Sequence, residues 1–447
     1  MTVSNADRAR ISAEFGDIIN PSWKGKALPL AVLALAFVYL IYLFNYFEFS
    51  KIGERWHSDR AALFALDSYA YKVHVDTKWK DTDRVQATLE GSRWERYKEL
   101  PGWIEKQGKG VTKVGFGDDG LAVIYPDRVE ISFLGNPTIT VPKPIDGKIS
   151  ATSSAELPSW IRVSKSKVDA RPTQYTRIQV YKSKITIHRY FVGWAHFWFD
   201  FQSPLADYGF FDAMSAVFFE DRIDPEQSNL SLVASEFWTN KLWFHRDVWI
   251  ALVQTIFMAV MGTLFAAILG LPLAFLAAYN VTPFAPVRML MRRLFDTLRG
   301  IDTLIWSLIF IRAFGMGPFS GLLAIGITDT GTLGKLMSEA IENTDKKQVE
   351  GVQSTGANKV QQHRFGILPQ ILPLFISQTL YYLESNTRGA VIIGAMGAGG
   401  IGLQFLGAMQ TGTDWENVAY ISIIVLVTVI LMDMLSARLR RMLIQFQ

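Results

Sequence analysis

The 447-residue chain contains no cysteine. Its absence excludes a disulfide framework, thiolate metal sites and cysteine nucleophiles together. A domain exposed outside the cytoplasm has to be stable without cross-links. Charge is missing from long stretches as well, and residues 249–280 hold no Asp, Glu, Lys or Arg. Crossing a bilayer core takes roughly 20 apolar residues in a helix, so this run is long enough and more. Histidine is sparse: the six present are scattered without ligand spacing, and no metal site is expected. No internal repeat and no low-complexity tract are found. What is present is apolar, 49% of the residues, and the fold class is an α-helical polytopic membrane protein.

The net charge of +4 does not point to nucleic acid, because no basic stripe with interleaved aromatics occurs. Arginines flanking membrane helices give the same balance. Residues 27–47 form the first apolar stretch, too long for a signal-peptide core and without a small-residue cleavage site after it. It ends in Asn45, Tyr46 and Phe47, which suit a headgroup boundary, and reads as a retained helix.

Six spans are expected, near 27–47, 249–278, 297–314, 318–338, 370–395 and 418–437. The fourth is the weakest, since Thr328, Asp329, Thr330 and Lys335 sit within it; an amphipathic helix buried in a bundle has the same pattern. Short-loop Lys and Arg set the orientation. Arg288, Arg292 and Arg293 follow the second span, Lys346, Lys347, Lys359 and Arg364 follow the fourth, and Arg438, Arg440 and Arg441 lie in the tail. Loops 315–318 and 411–417 carry no Lys or Arg. Both termini are therefore expected in the cytoplasm of a multi-pass inner-membrane protein.

The domain plan follows. Residues 1–26 are a cytoplasmic segment, 27–47 the first span, 48–205 an extracytoplasmic β-rich domain, 206–248 an interfacial amphipathic segment, and 249–447 a core of five spans with a cytoplasmic loop at 345–369. The β expectation rests on "GLAVIYP", "RVEISFLG" and "TRIQVYKSKITIHRYFVGW", where apolar and polar residues alternate. Short strands at that spacing suggest a small antiparallel sandwich or barrel. In 206–248, Trp238, Trp243 and Phe244 suit either a membrane interface or ordinary packing against the outer domain.

The most informative segment is "EGVQSTGANKVQQHRFGILP", residues 350–369. It reads as a short helix, a break at Gly356, a second helix, and a Leu-Pro pair opening a span, with Pro369 in the first turn where its missing N–H costs nothing. Such a unit between two spans is a rigid handle. The segment resembles the EAA loop of the permeases of binding-protein-dependent ABC importers, which has a Glu, a Gly six positions on, and Leu-Pro twelve beyond. Glu350, Gly356, Leu368 and Pro369 stand there. The departures are Gly351 and Val352, where two alanines are usual, and Gly366, where Ile is usual.

Within that family the chain is most similar to phosphonate importer permeases, through "DTGTLGKLMSEAIE", "YYLESNTRGAVIIGAMGAGGIG", "RIDPEQSNLSLVASEFW" and "GTLFAAILGLPLAFLAAYN". The resemblance covers roughly residues 206–447; the β domain is additional to it. It implies an ABC permease fold and a loop that docks on a separate ATPase subunit. It further implies a soluble binding protein outside, a second permease copy or close relative, phosphonate or a related phosphorus oxyanion as cargo, and alternating access driven by ATP. No enzymatic site and no cofactor are implied for this chain.

Two motifs mislead. Gly397, Gly399 and Gly402 match a dinucleotide fingerprint, which has meaning only between a strand and a helix of a βαβ unit. "LGKL" around Lys335 is similar to a P-loop, but Asp329 and Leu336 replace its first Gly and its Ser or Thr. Three charges inside predicted spans are candidate translocation-pathway residues: Asp329, Glu384 and Arg388. Glu384 and Arg388 are four apart and share a helix face, so they either pair structurally or present Arg388 to an anionic substrate. A rival of another class is a membrane-anchored sensor whose β domain binds a ligand, which leaves six spans and the loop unexplained.

Overall fold

A computed structural model describes residues 23–56, 58–90, 96–97, 99–145 and 147–445. Most of the expected N-terminal segment 1–26 lies outside the described residues. The chain divides into two compact units, 1–65 and 66–447. The first holds helix α1, Trp23–Tyr46, which from Ala27 on is apolar on every face as a lipid-facing helix is. Tyr39, Tyr42 and Tyr46 stack along its end, with ring centroids 6.4 and 5.7 Å apart. Helix α2, Ser58–Tyr69, leads on into the second unit.

Among the described residues twelve strands follow, in two six-stranded antiparallel sheets. One has the order β2 (Asp81–Leu89), β1 (Ala70–Lys78), β12 (Lys184–Val192), β11 (Thr176–Tyr181), β10 (Lys167–Thr173), β9 (Ile161–Val163). The other runs β3 (Ile104–Gly108), β4 (Val111–Gly115), β5 (Gly120–Ile124), β6 (Arg128–Phe133), β7 (Ile139–Pro142), β8 (Thr152–Ser153). Alternate residues of both enter one core: Val73, Val75, Ile185 and Ile187 meet Ala122, Ile124, Val129 and Ile131. The register sets Val75 opposite Ile187 and Ala122 opposite Ile131, so the apolar faces coincide. This is a β-sandwich. On the first sheet Lys72 bridges Asp67 at 3.0 Å and Glu90 at 2.8 Å, while His74 lies 3.4 Å from Glu90 and edge-on to His188.

Residues 206–248 carry helices α3, Phe210–Phe219, and α4, Asn229–Trp238. Asn229 ties them, its amide donating to the Ala216 and Asp221 carbonyls. The bundle then comprises α5 (His245–Ala277), α6 (Ala285–Gly300), α7 (Thr303–Phe314), α8 (Pro318–Glu342), α9 (Lys346–Ser354), α10 (Lys359–Gln362), α11 (Leu368–Ile393), α12 (Ile401–Thr411) and α13 (Trp415–Gln445). Helices α5 and α8 pack closely through small residues, with Ala259, Gly262 and Ala266 buried on one and Gly321, Ala324 and Gly326 on the other.

Three described helices are long and apolar enough to cross a membrane: Ala27–Tyr46, His245–Ala277 and Trp415–Leu443. The pair Lys359–Ala398 and Ile401–Thr411, bent by 61°, makes a fourth if it is one span. The span expected at 297–314 is divided. Helix α6 stops at Gly300, and the Asp302 carboxylate accepts from the Leu304 N–H at 2.8 Å, capping the 12-residue α7. Alone, α7 falls short of the roughly 20 residues a span needs. The weak fourth span is a continuous helix, Pro318–Glu342, but it is polar where it is enclosed by its neighbours: Ser320, Asp329, Thr330 and Ser338 are all buried.

Candidate functional site

The 345–369 loop is a helical handle. Asp345 caps α9 by accepting from the Lys347 N–H at 2.9 Å. Asn358 and Gln361 form a reciprocal capping box that starts α10. Between the two helices Gly356 adopts φ 83°, left-handed backbone that a side chain disfavours. From α10 a π-helical turn, His363–Ile367, runs without a break into α11, with Pro369 in the first turn. Helix α10 is thereby continuous, through the π turn, with α11.

The base of the handle is fixed. Val349, Ile367, Leu368 and Ile371 pack on Ala274, Met337 and Ile341 of α5 and α8. A Cβ on Gly366 would lie 3.2 Å from the Val349 Cα, so the departure from the usual Ile marks a close crossing of the two limbs. The tip is open. Gly351, Val352, Thr355, Gly356, Gln361 and Phe365 line an exposed concavity of about 680 Å³, and Glu350 is exposed beside it. The four sequence-selected landmarks thus have different places: Glu350 and Gly356 at the free surface, Leu368 and Pro369 at the span entry.

The charges inside the bundle fall on α8 and α11. Glu384 and Arg388 do meet, 3.2 Å apart, with the Glu384 side chain 15% exposed and that of Arg388 51% exposed. Asp329 is separate from that pair. It is buried, 7% exposed, and its carboxylate accepts from the Asn386 amide at 2.5 Å. The same amide donates to the Thr263 hydroxyl at 2.8 Å, which in turn donates to the Ala259 carbonyl at 2.7 Å. One amide therefore ties α5, α8 and α11. Sequence reading passed over Asn386, which lies in the polar stretch Glu384–Arg388 and carries no signal that sets it apart from Ser385 and Thr387.

The glycines at 397–402 break the helix. Gly397, Gly399 and Gly400 have φ 113°, 80° and 73°. The freed Ile401 N–H donates to the Thr255 hydroxyl at 2.8 Å, so the break is satisfied by α5. At Gly402 a Cβ would lie 1.8 Å from the Val391 carbonyl oxygen, which no side chain tolerates.

Residues 270–445 match the family described as binding-protein-dependent transport system inner membrane component. Among curated relatives, the phosphite transport system permease protein PtxC of Stutzerimonas stutzeri is 37% identical over 194 residues, 43% of this chain and 70% of that protein. The putative cryptic phosphonate transport system permease protein PhnE2 of Escherichia coli is 45% identical over 120 residues, 27% of this chain and 98% of that one. The phosphate-import permease protein PhnE of Mycolicibacterium smegmatis is 37% identical over 192 residues, 43% and 36% of the two chains. Apolar helices, a handle rooted in them and these relatives define a helical membrane permease, a transport protein and not an enzyme. The chain belongs to the inner membrane component family of binding-protein-dependent transport systems. Strands β1 to β12 end at residue 192, ahead of the family match.

Proposed function

We propose that this chain is the permease subunit of an ABC importer for a phosphorus oxyanion, phosphonate or phosphite. The cargo class is supported by what the relatives PtxC and PhnE2 are named for. The coupling mechanism is carried by one observation: the handle at 346–367 is exposed at its tip and continuous with α11 at its root. ATPase subunits grip Glu350, Gly356 and the concavity beside them, and their closure tilts α11 through Leu368 and Pro369 in alternating access. Two copies of the chain form the pore, a soluble binding protein delivers cargo, and the lipid bilayer surrounds the apolar helices.

Six passes place both termini in the cytoplasm, with α7 completing the third span through the end of α6. Support comes from the ends of the bundle. Arg292 pairs with Glu342 at the end that bears the handle. At the other end, the Asn417 amide donates to the Leu242 carbonyl at 3.1 Å, placing the Lys- and Arg-free 411–417 loop beside the sandwich. The sandwich then lies outside and 206–248 at the outer interface. In the pathway, Arg388 meets the oxyanion: its guanidinium is half-exposed, while Glu384 beneath it is mostly buried.

The test is reconstitution with the ATPase and binding protein, measuring uptake of phosphite and methylphosphonate alongside ATP hydrolysis. Gly356→Pro should insert normally, yet lose both uptake and the stimulation of hydrolysis by loaded binding protein. Stimulated hydrolysis at the normal level in that variant would refute the coupling role. Uptake of neither compound by the unaltered complex would refute the cargo.

A further inference from the structure

A second site lies far from the handle, where the sandwich meets the bundle. Residues Trp194–Phe199 and Ala206–Gly209 close over Tyr71 and Tyr97 to leave a cavity of about 320 Å³. That is within the size range of small-molecule sites. Its walls are aromatic, and no Lys or Arg lines it among the described residues. Asp207, at an exposed position on the 206–209 lip, supplies a carboxylate among the described lining residues.

The lining rings are braced from behind. Tyr71 stacks on Phe191 at 5.3 Å, Tyr97 sits edge-to-face with Phe201 at 4.7 Å, Trp194 contacts Trp243 at 5.0 Å, and Trp198 contacts Phe210 at 4.9 Å. Burial pushes the Tyr97 phenol up to about 12, so it stays neutral. His196 is held in left-handed backbone, φ 51°, with the Asn240 amide donating to its carbonyl at 2.9 Å. Its Nδ1 is buried without a hydrogen-bond partner. Burial outweighs the Asp207 and Asp200 carboxylates and the nearby carbonyls of Ala206 and Phe199 and keeps this ring below its ordinary value, hence neutral at pH 7. A neutral imidazole has one ring nitrogen with a free lone pair.

Aromatic surface, a carboxylate and no cation together exclude an oxyanion and favour a cation whose own shell is apolar. We propose that this cavity binds a small organic ammonium ion, with Tyr71, Tyr97, Trp194 and Trp198 as the aromatic box and Asp207 as the counter-charge. The ammonium group reaches it either as a free solute or as the headgroup of a zwitterionic lipid. The site is independent of the coupling and cargo assignments, because binding is read without ATP or transport.

The experiment uses the full chain in phosphatidylglycerol nanodiscs and titrates choline by calorimetry, with 3,3-dimethylbutan-1-ol as its uncharged carbon analogue. Choline should saturate one site and bind about tenfold more tightly than the analogue. Asp207→Asn and Trp198→Ala, each checked for an unchanged circular dichroism spectrum, should weaken choline by about tenfold. Equal binding of choline and the analogue would overturn the proposal, as would choline binding that neither substitution alters, or no binding. Repeating the titration in phosphatidylethanolamine nanodiscs separates the sources: weaker choline binding there assigns the site to lipid headgroups, and unchanged binding assigns it to a solute.

Discussion

Replacing Asn386 by alanine should destabilise the bundle more than removing the charge it serves. The amide spends both donors, one on the Asp329 carboxylate at 2.5 Å and one on Thr263 at 2.8 Å. A hydrogen bond to a charged group contributes about 1.5–3 kcal/mol, and a buried polar group left without its partner costs about 1–3 kcal/mol, more if charged. Asp329 is 7% exposed and takes part in no ion pair among the described residues, so solvent cannot replace the lost donor cheaply. Asn386→Ala is therefore expected to cost about 2–3 kcal/mol. Asp329→Ala removes the carboxylate itself, leaves Asn386 bonded to Thr263, and should cost about 1 kcal/mol. The double variant should then be more stable than Asn386→Ala alone, the reverse of additivity for separate sites. Unfolding of the three variants by sodium dodecyl sulfate in mixed micelles, followed by tryptophan fluorescence, measures the order. An Asn386→Ala variant within about 0.5 kcal/mol of the parent, the scale of an unimportant substitution, would refute the argument. So would strict additivity in the double variant.

Thiol labelling checks the orientation, since the chain supplies no competing cysteine: Ser154→Cys should react with an impermeant maleimide in intact cells and Thr355→Cys only after lysis, and the opposite pattern would reverse the topology. Because Arg388→Ala alone leaves the mostly buried Glu384 without its partner, the test removes both charges: Glu384→Ala with Arg388→Ala should assemble yet lose uptake, and normal uptake in that double variant would remove Arg388 from the pathway. Acid should loosen the sandwich in two stages. Burial, reinforced by the neighbouring His74, holds His188 down at about 3 against about 6.5 when unfolded, so the unfolded chain takes the proton first and stability, full above about 6.5, drains as pH falls toward 3. Glu90 follows: burial opposes its charge, but His74 and Lys72 overcome it and hold the carboxyl at about 2, so its contribution is lost only below about 4.3. Near-ultraviolet circular dichroism on urea titration should show His188→Gln with a flatter profile between those upper limits, and an unchanged slope would assign the acid sensitivity elsewhere.

The legible parts of this molecule are those whose physics is local. Strand β6 and the β11–β12 hairpin follow from a two-residue alternation that turns Val129 and Ile131 of one sheet, and Ile178 and Ile187 of the other, into the shared core. The handle is legible for the same reason: Asp345, Asn358 with Gln361, Gly356 and Pro369 are start and stop signals that need no tertiary partner. The break at 300–302 was carried by Gly300 and the cap Asp302, yet average hydropathy runs straight through one charged residue. The Asp329–Asn386–Thr263 tether and the aromatic cavity had no local signal. Their members come from three helices in one case, and from residues 71, 97 and 194–209 in the other, and only packing brings them together.

The sandwich is joined to the transport bundle by a contact that fixes more than position. His245 opens α5, and its Nε2 lies 2.7 Å from the Phe197 carbonyl, which can only accept, so this nitrogen carries the proton. Its Nδ1 must then accept from the Tyr420 hydroxyl, 2.7 Å away on α13. Trp243 adds an indole N–H to the Ala195 carbonyl at 2.9 Å, and Trp194, Phe197, Trp243 and Tyr420 pack ring to ring around this point. The segment 194–197 is thus clamped to the first turns of two bundle helices while its other side lines the aromatic cavity. A change in the angle between α5 and α13 cannot leave Phe197 bonded to one and packed on the other without shifting 194–197, and with it the cavity wall. If the bundle alternates and the cavity is occupied as proposed, linkage requires that the ligand and the α5–α13 geometry that preserves the cavity walls favour each other.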